Sequence, residues 1–216
     1  MNKKRFFSLL VSGKLGLSLI AGLKPPSASA LTIAQCANQP FNLVLQSSPG
    51  VEYAGDTYGG YDSTSVINVF IPGTGCNYVT PTKIDLVLTG IKPKDEIYVG
   101  ISTTKDDPNL LAQTQNKVRL GSDLQLLAWF SVNNIGDSIS LPGLGSGFSA
   151  DIQNTGMCLE LPINLPSDLF SIIGEEFYIQ TISFPNGQYT WNNARASDLV
   201  KIQVATKSCS PYDSVY

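Results

Sequence analysis

The chain has 216 residues, 43% of them hydrophobic and only 14% charged, with no histidine and a formal net charge of −3. The missing imidazole excludes Ser-His-Asp and Cys-His nucleophile systems, His-ligated zinc or copper, and imidazole acid–base chemistry. Beyond residue 30 the basic side chains form no cluster larger than Lys92/Lys94 or Lys117/Arg119, which argues against nucleic acid or anionic lipid as a partner.

Residues 1–30 read as a signal peptide. Lys3, Lys4 and Arg5 open it, the apolar run Leu15 to Leu23 forms its centre, and Ser27-Ala28-Ser29-Ala30 supplies a small-residue cleavage site after Ala30. Lys14 and Lys24 bracket the apolar run, so it falls short of the roughly 20 residues a membrane-spanning helix needs. Cleavage removes five of the fourteen basic residues and no acidic one, leaving a mature net charge of −8 with no membrane span expected. The expected location is secreted, either extracellular or periplasmic.

Residues 31–216 carry short apolar runs separated by Gly, Thr, Ser, Asn and Pro, the pattern of an all-β protein. Phe41 to Gln46 predicts a first strand, and a turn-rich stretch from Ser47 to Ser65 follows it. Val66 to Ile71 is a near-continuous apolar run ended by Pro72-Gly73, as for a buried strand. Ile84 to Leu88 and Ile97 to Ile101 predict the next two strands, joined through Ile91-Lys92-Pro93-Lys94-Asp95. Lys105 to Pro108 predicts a turn, with further apolar segments at Leu110 to Gln115 and Lys117 to Leu120.

Leu124 to Val132 is read as a strand, because aromatics and Val fill its second half. Gly143, Gly145 and Gly147 space like a phosphate loop but lack the Lys-Ser/Thr that completes one, so they read as a turn. Phe148 to Ile152 and Met157 to Leu161 predict a strand pair around Asn154-Thr155-Gly156, with Pro162 and Pro166 breaking regularity. Ser167 to Ile173 reads as one helical turn capped by Ser167 and ended at Gly174. The strongest local signal is Glu176 to Thr206. There Asn186-Gly187 lies between alternating segments and predicts a type I′ hairpin, with Val200, Ile202 and Val204 on a third strand.

The passage Leu88 to Ile101, LTGIKPKDEIYVGI, resembles the corner before a late strand in fibronectin type III domains, and Ser197 to Thr206, SDLVKIQVAT, resembles their last strand. The aromatic of that corner falls on Ile97 instead of Tyr98. The resemblance therefore implies a sandwich and carries over no family function. The expected fold is an antiparallel β-sandwich, immunoglobulin-like or jelly-roll-like. It is expected as a single domain over 31–216, the alternative being two small sandwiches split near 115–121.

Cys36, Cys76, Cys158 and Cys209 suit an exported protein with two disulfides. Three pairings are open, of which Cys36–Cys76 with Cys158–Cys209 closes the shortest loops. No cofactor is expected. Calcium is the alternative, with Asp56, Asp62, Asp106 and Asp107 as loop carboxylates, although no EF-hand spacing is present.

Five aromatics are the candidate ligand-binding residues: Tyr53, Tyr58 and Tyr61 in a glycine-rich stretch, and Tyr189 with Trp191 on one strand face past the Asn-Gly turn. Trp129 reads as core. The expected function is a non-catalytic structural or protein-interaction module at or outside the cell surface. The alternative is a carbohydrate-binding module stacking sugars on those rings. A glycoside hydrolase built on paired carboxylates is the third and least favoured reading, because Asp106-Asp107 and Glu175-Glu176 read more simply as solvated turn residues. The expected partner is a protein or a glycan at the cell surface.

Overall fold

The computed structural model describes residues 39–46, 48–59, 62–132, 139–140, 149–150, 153–154 and 159–209. The described chain is nearly all β and forms two sheets. The strands are β1 (Asn42–Leu45), β2 (Val51–Gly59), β3 (Asp62–Pro72), β4 (Lys83–Thr89), β5 (Glu96–Ser102), β6 (Gln125–Ser131), β7 (Ile139–Ser140), β8 (Ser149–Ala150), β9 (Gln153–Asn154), β10 (Leu159–Asn164), β11 (Glu176–Phe184), β12 (Arg195–Ala196) and β13 (Leu199–Lys207). One short helix, α1 (Pro108–Gln113), lies between β5 and β6.

The smaller sheet runs β1-β4-β10-β8 with β9 on β10, and all its pairings are antiparallel. The larger runs β2-β3-β13-β11-β5-β6-β7 with β12 on β11. It is mixed, because β3 and β13 pair in parallel over Thr64 to Pro72 and Leu199 to Lys207. The expectation of antiparallel pairing throughout is corrected at this place.

One face of each sheet is turned to a shared core. Leu43, Leu86, Leu88, Leu161 and Ile163 of the smaller sheet join Ile67, Val69, Ile97, Val99, Ile179 and Ile202 of the larger in one buried cluster. The period-2 alternation of β4 and β5 builds this face, since successive side chains in a strand point to opposite sides. β11 is buried along almost its whole length because its second face is covered too. Tyr98, Val118, Leu120, Tyr178, Ile182, Phe184 and Leu199 form that second cluster.

Two connections supply the cover. Residues 103–124 are anchored by Gln180, whose Oε1 accepts from Arg119 N at 2.9 Å and whose Nε2 donates to Lys117 O at 3.1 Å and Ser197 O at 3.0 Å. At 2% exposure this amide is a buried polar group whose bonds are made, as burial requires. Gly100 makes room beneath, since a Cβ there would meet the Leu124 and Leu120 side chains at 2.7 and 2.8 Å.

Several local expectations are corrected. Where a turn-rich stretch was expected between Ser47 and Ser65, the described residues of β2 and β3 form a long antiparallel pair, with a bulge between Tyr53 and Gly55. Leu110 to Gln115 begins inside α1, where Pro108 occupies the first turn and the Asp107 side chain accepts from Asn109 N and Leu110 N. Asn186 and Gly187 both adopt positive φ, 54° and 63°, and Gln188 N donates to Pro185 O, as a type I′ turn demands. That turn does not join two strands directly. Residues 188–194 leave the sheet, and pairing with β11 resumes at Arg195↔Ser183.

The 3-10 turn at Leu169–Ile172 is capped by Asp168 rather than Ser167. Pro162 stays within β10, opposite Asp85. Gly143, Gly145, Gly147, Tyr61, Cys36 and Cys158 lie outside the described residues.

Cys76 and Cys209 are joined by a disulfide, with Cα atoms 4.8 Å apart. This overturns the shortest-loop pairing, which assigned each of these cysteines to a different partner. The physical reason is topology. Parallel β3 and β13 end side by side, so Gly73 N bonds Lys207 O at 2.8 Å, Cys209 N bonds Thr74 O at 3.1 Å, and the two cysteines are delivered to the same place.

Candidate functional site: the aromatic outer face of the larger sheet

β5, β6 and β11 lie side by side, and their outward positions bring Tyr98, Trp129 and Phe184 together. The Tyr98 and Trp129 rings stack at 6.2 Å between centroids, and Phe184 meets Tyr98 edge-on at 5.8 Å. Tyr189 and Trp191 descend from the connection after β11 and pack on Phe184 at 5.4 and 5.2 Å. Offset and edge-on contacts of this kind favour the positive ring edge meeting a negative ring face. Trp129 Nε1 donates to Glu96 Oε2 at 3.0 Å, giving the indole its polar partner.

Burial dominates the electrostatics here. It pushes the Tyr98 hydroxyl well above the usual phenol range, with the neighbouring Tyr189 hydroxyl adding to the effect. Burial raises Tyr189 as well. Farther along β11, burial and then the Glu176 carboxylate push Tyr178 up to about 12. These phenols stay protonated at neutral pH, and Tyr178 donates to Glu176 Oε2 at 2.7 Å.

Between the two covering connections is a notch lined by Tyr98, Gly100, Leu124, Gln180, Ile182 and Trp191, with a volume of about 20 Å³. This is room for about one water molecule and not for a sugar ring. Tyr189 and Trp191 both pack on Phe184, but not on one strand face as expected. They sit in a loop rather than on a strand, and both are half-buried against Phe184.

The tyrosines of the other candidate group are placed elsewhere. Tyr53 lies on β2, an edge strand of the larger sheet, and is 53% exposed. Tyr58 is on the same strand, its backbone paired with Ser63. β3 and β13 separate β2 from β11, so the tyrosine strand and the Trp191 loop do not share a surface. The sequence reading assigned Trp129 to the core and left Tyr98, Phe184 and Glu96 out of the site. The signal for Tyr98 was present: it alternates with Ile97 and Val99, so it must face away from them.

Of the loop carboxylates, Asp56, Asp106 and Asp107 have definite partners, and the Asp62 side chain lies outside the described residues. Asp106 receives Arg119 Nε at 2.9 Å, Asp107 caps α1, and Asp56 receives Ser65 Oγ at 2.9 Å. Glu176 binds Lys201 at 2.6 Å and also accepts from Tyr178 and Gln203, contacts that hold its carboxyl below the usual range. Burial works against the Asp123 carboxylate, but the Thr103 hydroxyl, the Thr103 N–H and the Thr104 hydroxyl outweigh it and lower its pKa. Asp95, 1% exposed, pairs with Arg195, which also donates to Gly90 O at 2.7 Å and lies over the Phe41 ring. Among the described residues, no group of three or more His, Cys, Asp or Glu side chains is gathered as a metal site would need. Also among them, no helix is long and apolar enough to cross a membrane.

No family model and no curated protein matches the chain. Among solved structures it is similar to red sea bream transglutaminase, with a TM-score of 0.33 and 11% identity over 62% of this chain. The match spans 15% of the length of that enzyme, and a likeness at this level carries no argument about fold or activity.

Proposed function

We propose that this is a secreted, non-catalytic β-sandwich that acts as a protein-interaction module at or outside the cell surface, with the β2–β3 pair as its contact arm. The observation that carries this reading is the contrast in exposure between the two aromatic groups. The outer face of β5, β6 and β11 is filled by the chain's own rings, whereas Tyr53 stands 53% exposed on an edge strand beside exposed Glu52 and Ala54. An exposed tyrosine offers a large contact area at low conformational cost and is favoured as an interface anchor.

Two further features support the reading. A disulfide tying the last strand to the β3–β4 connection suits an oxidising compartment, and with it the leader expected at residues 1–30. Two sheets sharing one core support a sandwich, and each sheet takes strands from both sides of 115–121, which favours one domain over two.

The test is site-specific photo-crosslinking from position 53 of the exported protein in its producing cells. A discrete adduct, missing when the crosslinker is placed at exposed Val44 on β1 of the smaller sheet, is the expected result. Crosslinking that is equal at the two positions contradicts the reading. The carbohydrate alternative is addressed by a glycan array. Binding that disappears in Trp191→Ala with unchanged folding would move the site to the Tyr189–Trp191 loop.

A further inference from the structure

We infer that one end of the molecule docks on a partner protein, with Phe170 and Ile173 entering an apolar pocket whose rim is basic. The inference rests on the reading above that the chain binds a protein, and it adds a second contact beside β2.

Strand directions bring three connections to this end: β1 to β2, β3 to β4 and β10 to β11. They are tied together there. Leu165 N donates to Thr82 O at 2.8 Å and Gly174 N to Val204 O at 3.0 Å, while a Cβ on Gly50 would lie 2.8 Å from both Pro81 and the Tyr78 ring. Of the five large apolar side chains exposed among the described residues, three lie on these connections: Val79 at 85%, Phe170 at 66% and Ile173 at 42%. Apolar side chains scattered singly over a surface need no explanation, but their gathering at one end marks a contact site.

The turn at Leu169–Ile172 sets which side chains face out. With three residues per turn, Leu169 and Ile172 share one side of it, and both pack on the main core. Phe170 is left outside, as is Ile173 just past the turn. Ser171 Oγ donates to Asp168 O at 2.8 Å and Glu175 N to Ile172 O at 3.1 Å, so the backbone under the pair is already fixed, which lowers the ordering cost of binding.

Charge selects the partner. Lys83, Lys201 and Lys207 each lie against a carboxylate, of Asp85, Glu176 and Glu52 respectively. Asp168 and Glu175 flank the apolar pair, are exposed, and have no ion pair among the described residues. Past residue 30, the segments outside the described residues contain no Lys or Arg to offset them. An acidic rim opposes an anionic lipid surface and a second copy bearing the same rim, and it complements Lys or Arg around a partner's pocket.

The test is photo-crosslinking of the exported protein in its producing cells from position 173, in parallel with position 53, with the adducts sequenced by mass spectrometry. The expected adduct from 173 joins an apolar segment of another protein that carries Lys or Arg beside the linked residue. It should fall about tenfold or more in Phe170→Ser and in Glu175→Lys, each with the unfolding midpoint of wild type. An adduct from 173 that is unchanged in both variants overturns the inference. An adduct from 53 with none from 173 overturns it and leaves the interaction reading standing, and no adduct from either position overturns both. The purified protein supplies two further arms: flotation with phosphatidylcholine or phosphatidylglycerol vesicles, and dimerisation in analytical ultracentrifugation. Either behaviour, if abolished by Phe170→Ser, gives this end to lipid or to a second copy and overturns the inference.

Discussion

Two regions of this molecule are rich in aromatic side chains, and their neighbours give them opposite roles. On the outer face of the larger sheet, Tyr98, Trp129, Tyr189 and Trp191 gather around Phe184, which is only 2% exposed. On β2, Tyr53 occupies a position of the same parity as buried Val51, yet it is 53% exposed. The difference is coverage. Two connections close over β5, β6 and β11, whereas β2 lies at the sheet edge just where a bulge turns the strand. Residue type alone does not mark a contact surface, and what lies above the strand decides it.

The comparison can be broken most easily at its centre. Phe184→Ala removes the ring against which Tyr98, Tyr189 and Trp191 all pack, and should cost about 3–5 kcal/mol in urea unfolding. A cost near zero would mean that the outer cover is not a packed layer. Trp191→Ala, at the rim of the same cluster, should cost about 1–2 kcal/mol, because a half-buried indole gives up only part of its transfer energy. Tyr53→Ala should change stability by no more than about 0.5 kcal/mol, as expected for an exposed side chain away from the core, while reducing capture of the partner.

The smallest effect concerns pH and sharpens the account of the first connection. The folded state holds the Asp123 carboxyl below its ordinary pKa, so its stabilising contribution is present above the unfolded carboxylate range and is lost as pH falls through the folded value. The stability difference between wild type and Asp123→Asn should therefore shrink as the pH is lowered from about 7 to about 3. A difference that stays constant would show that the Thr103 and Thr104 contacts do not depend on the charge.

Much of the strand content was legible because β4, β5, β6 and β11 alternate or run apolar for a strand's length. What was not legible depends on contacts distant in sequence. The cysteine pairing follows from β3 and β13 lying parallel, 133 residues apart at the bridge, and loop-closure entropy ignores such topology. The Asn186-Gly187 conformation was readable from local chemistry. The hairpin register was not, because Tyr189 and Trp191 draw the chain off the sheet and onto Phe184. α1 was missed although Asp107-Pro108 is a cap followed by a favoured first-turn residue, a signal that reads equally well as a turn.

The candidate site was legible only in its parts. Tyr189 and Trp191 both pack on Phe184, but from a loop and not from the strand face expected, while Glu96, Tyr98, Trp129 and Phe184 come from three strands whose order no local pattern reveals.

The most direct measurement is a parallel urea unfolding of wild type, Trp191→Ala and Tyr53→Ala under one buffer condition. The account predicts that the Trp191 variant unfolds at a clearly lower midpoint and that the Tyr53 variant overlays wild type. A Trp191 variant as stable as wild type, or a Tyr53 variant that unfolds early, would reverse the roles assigned to the two regions.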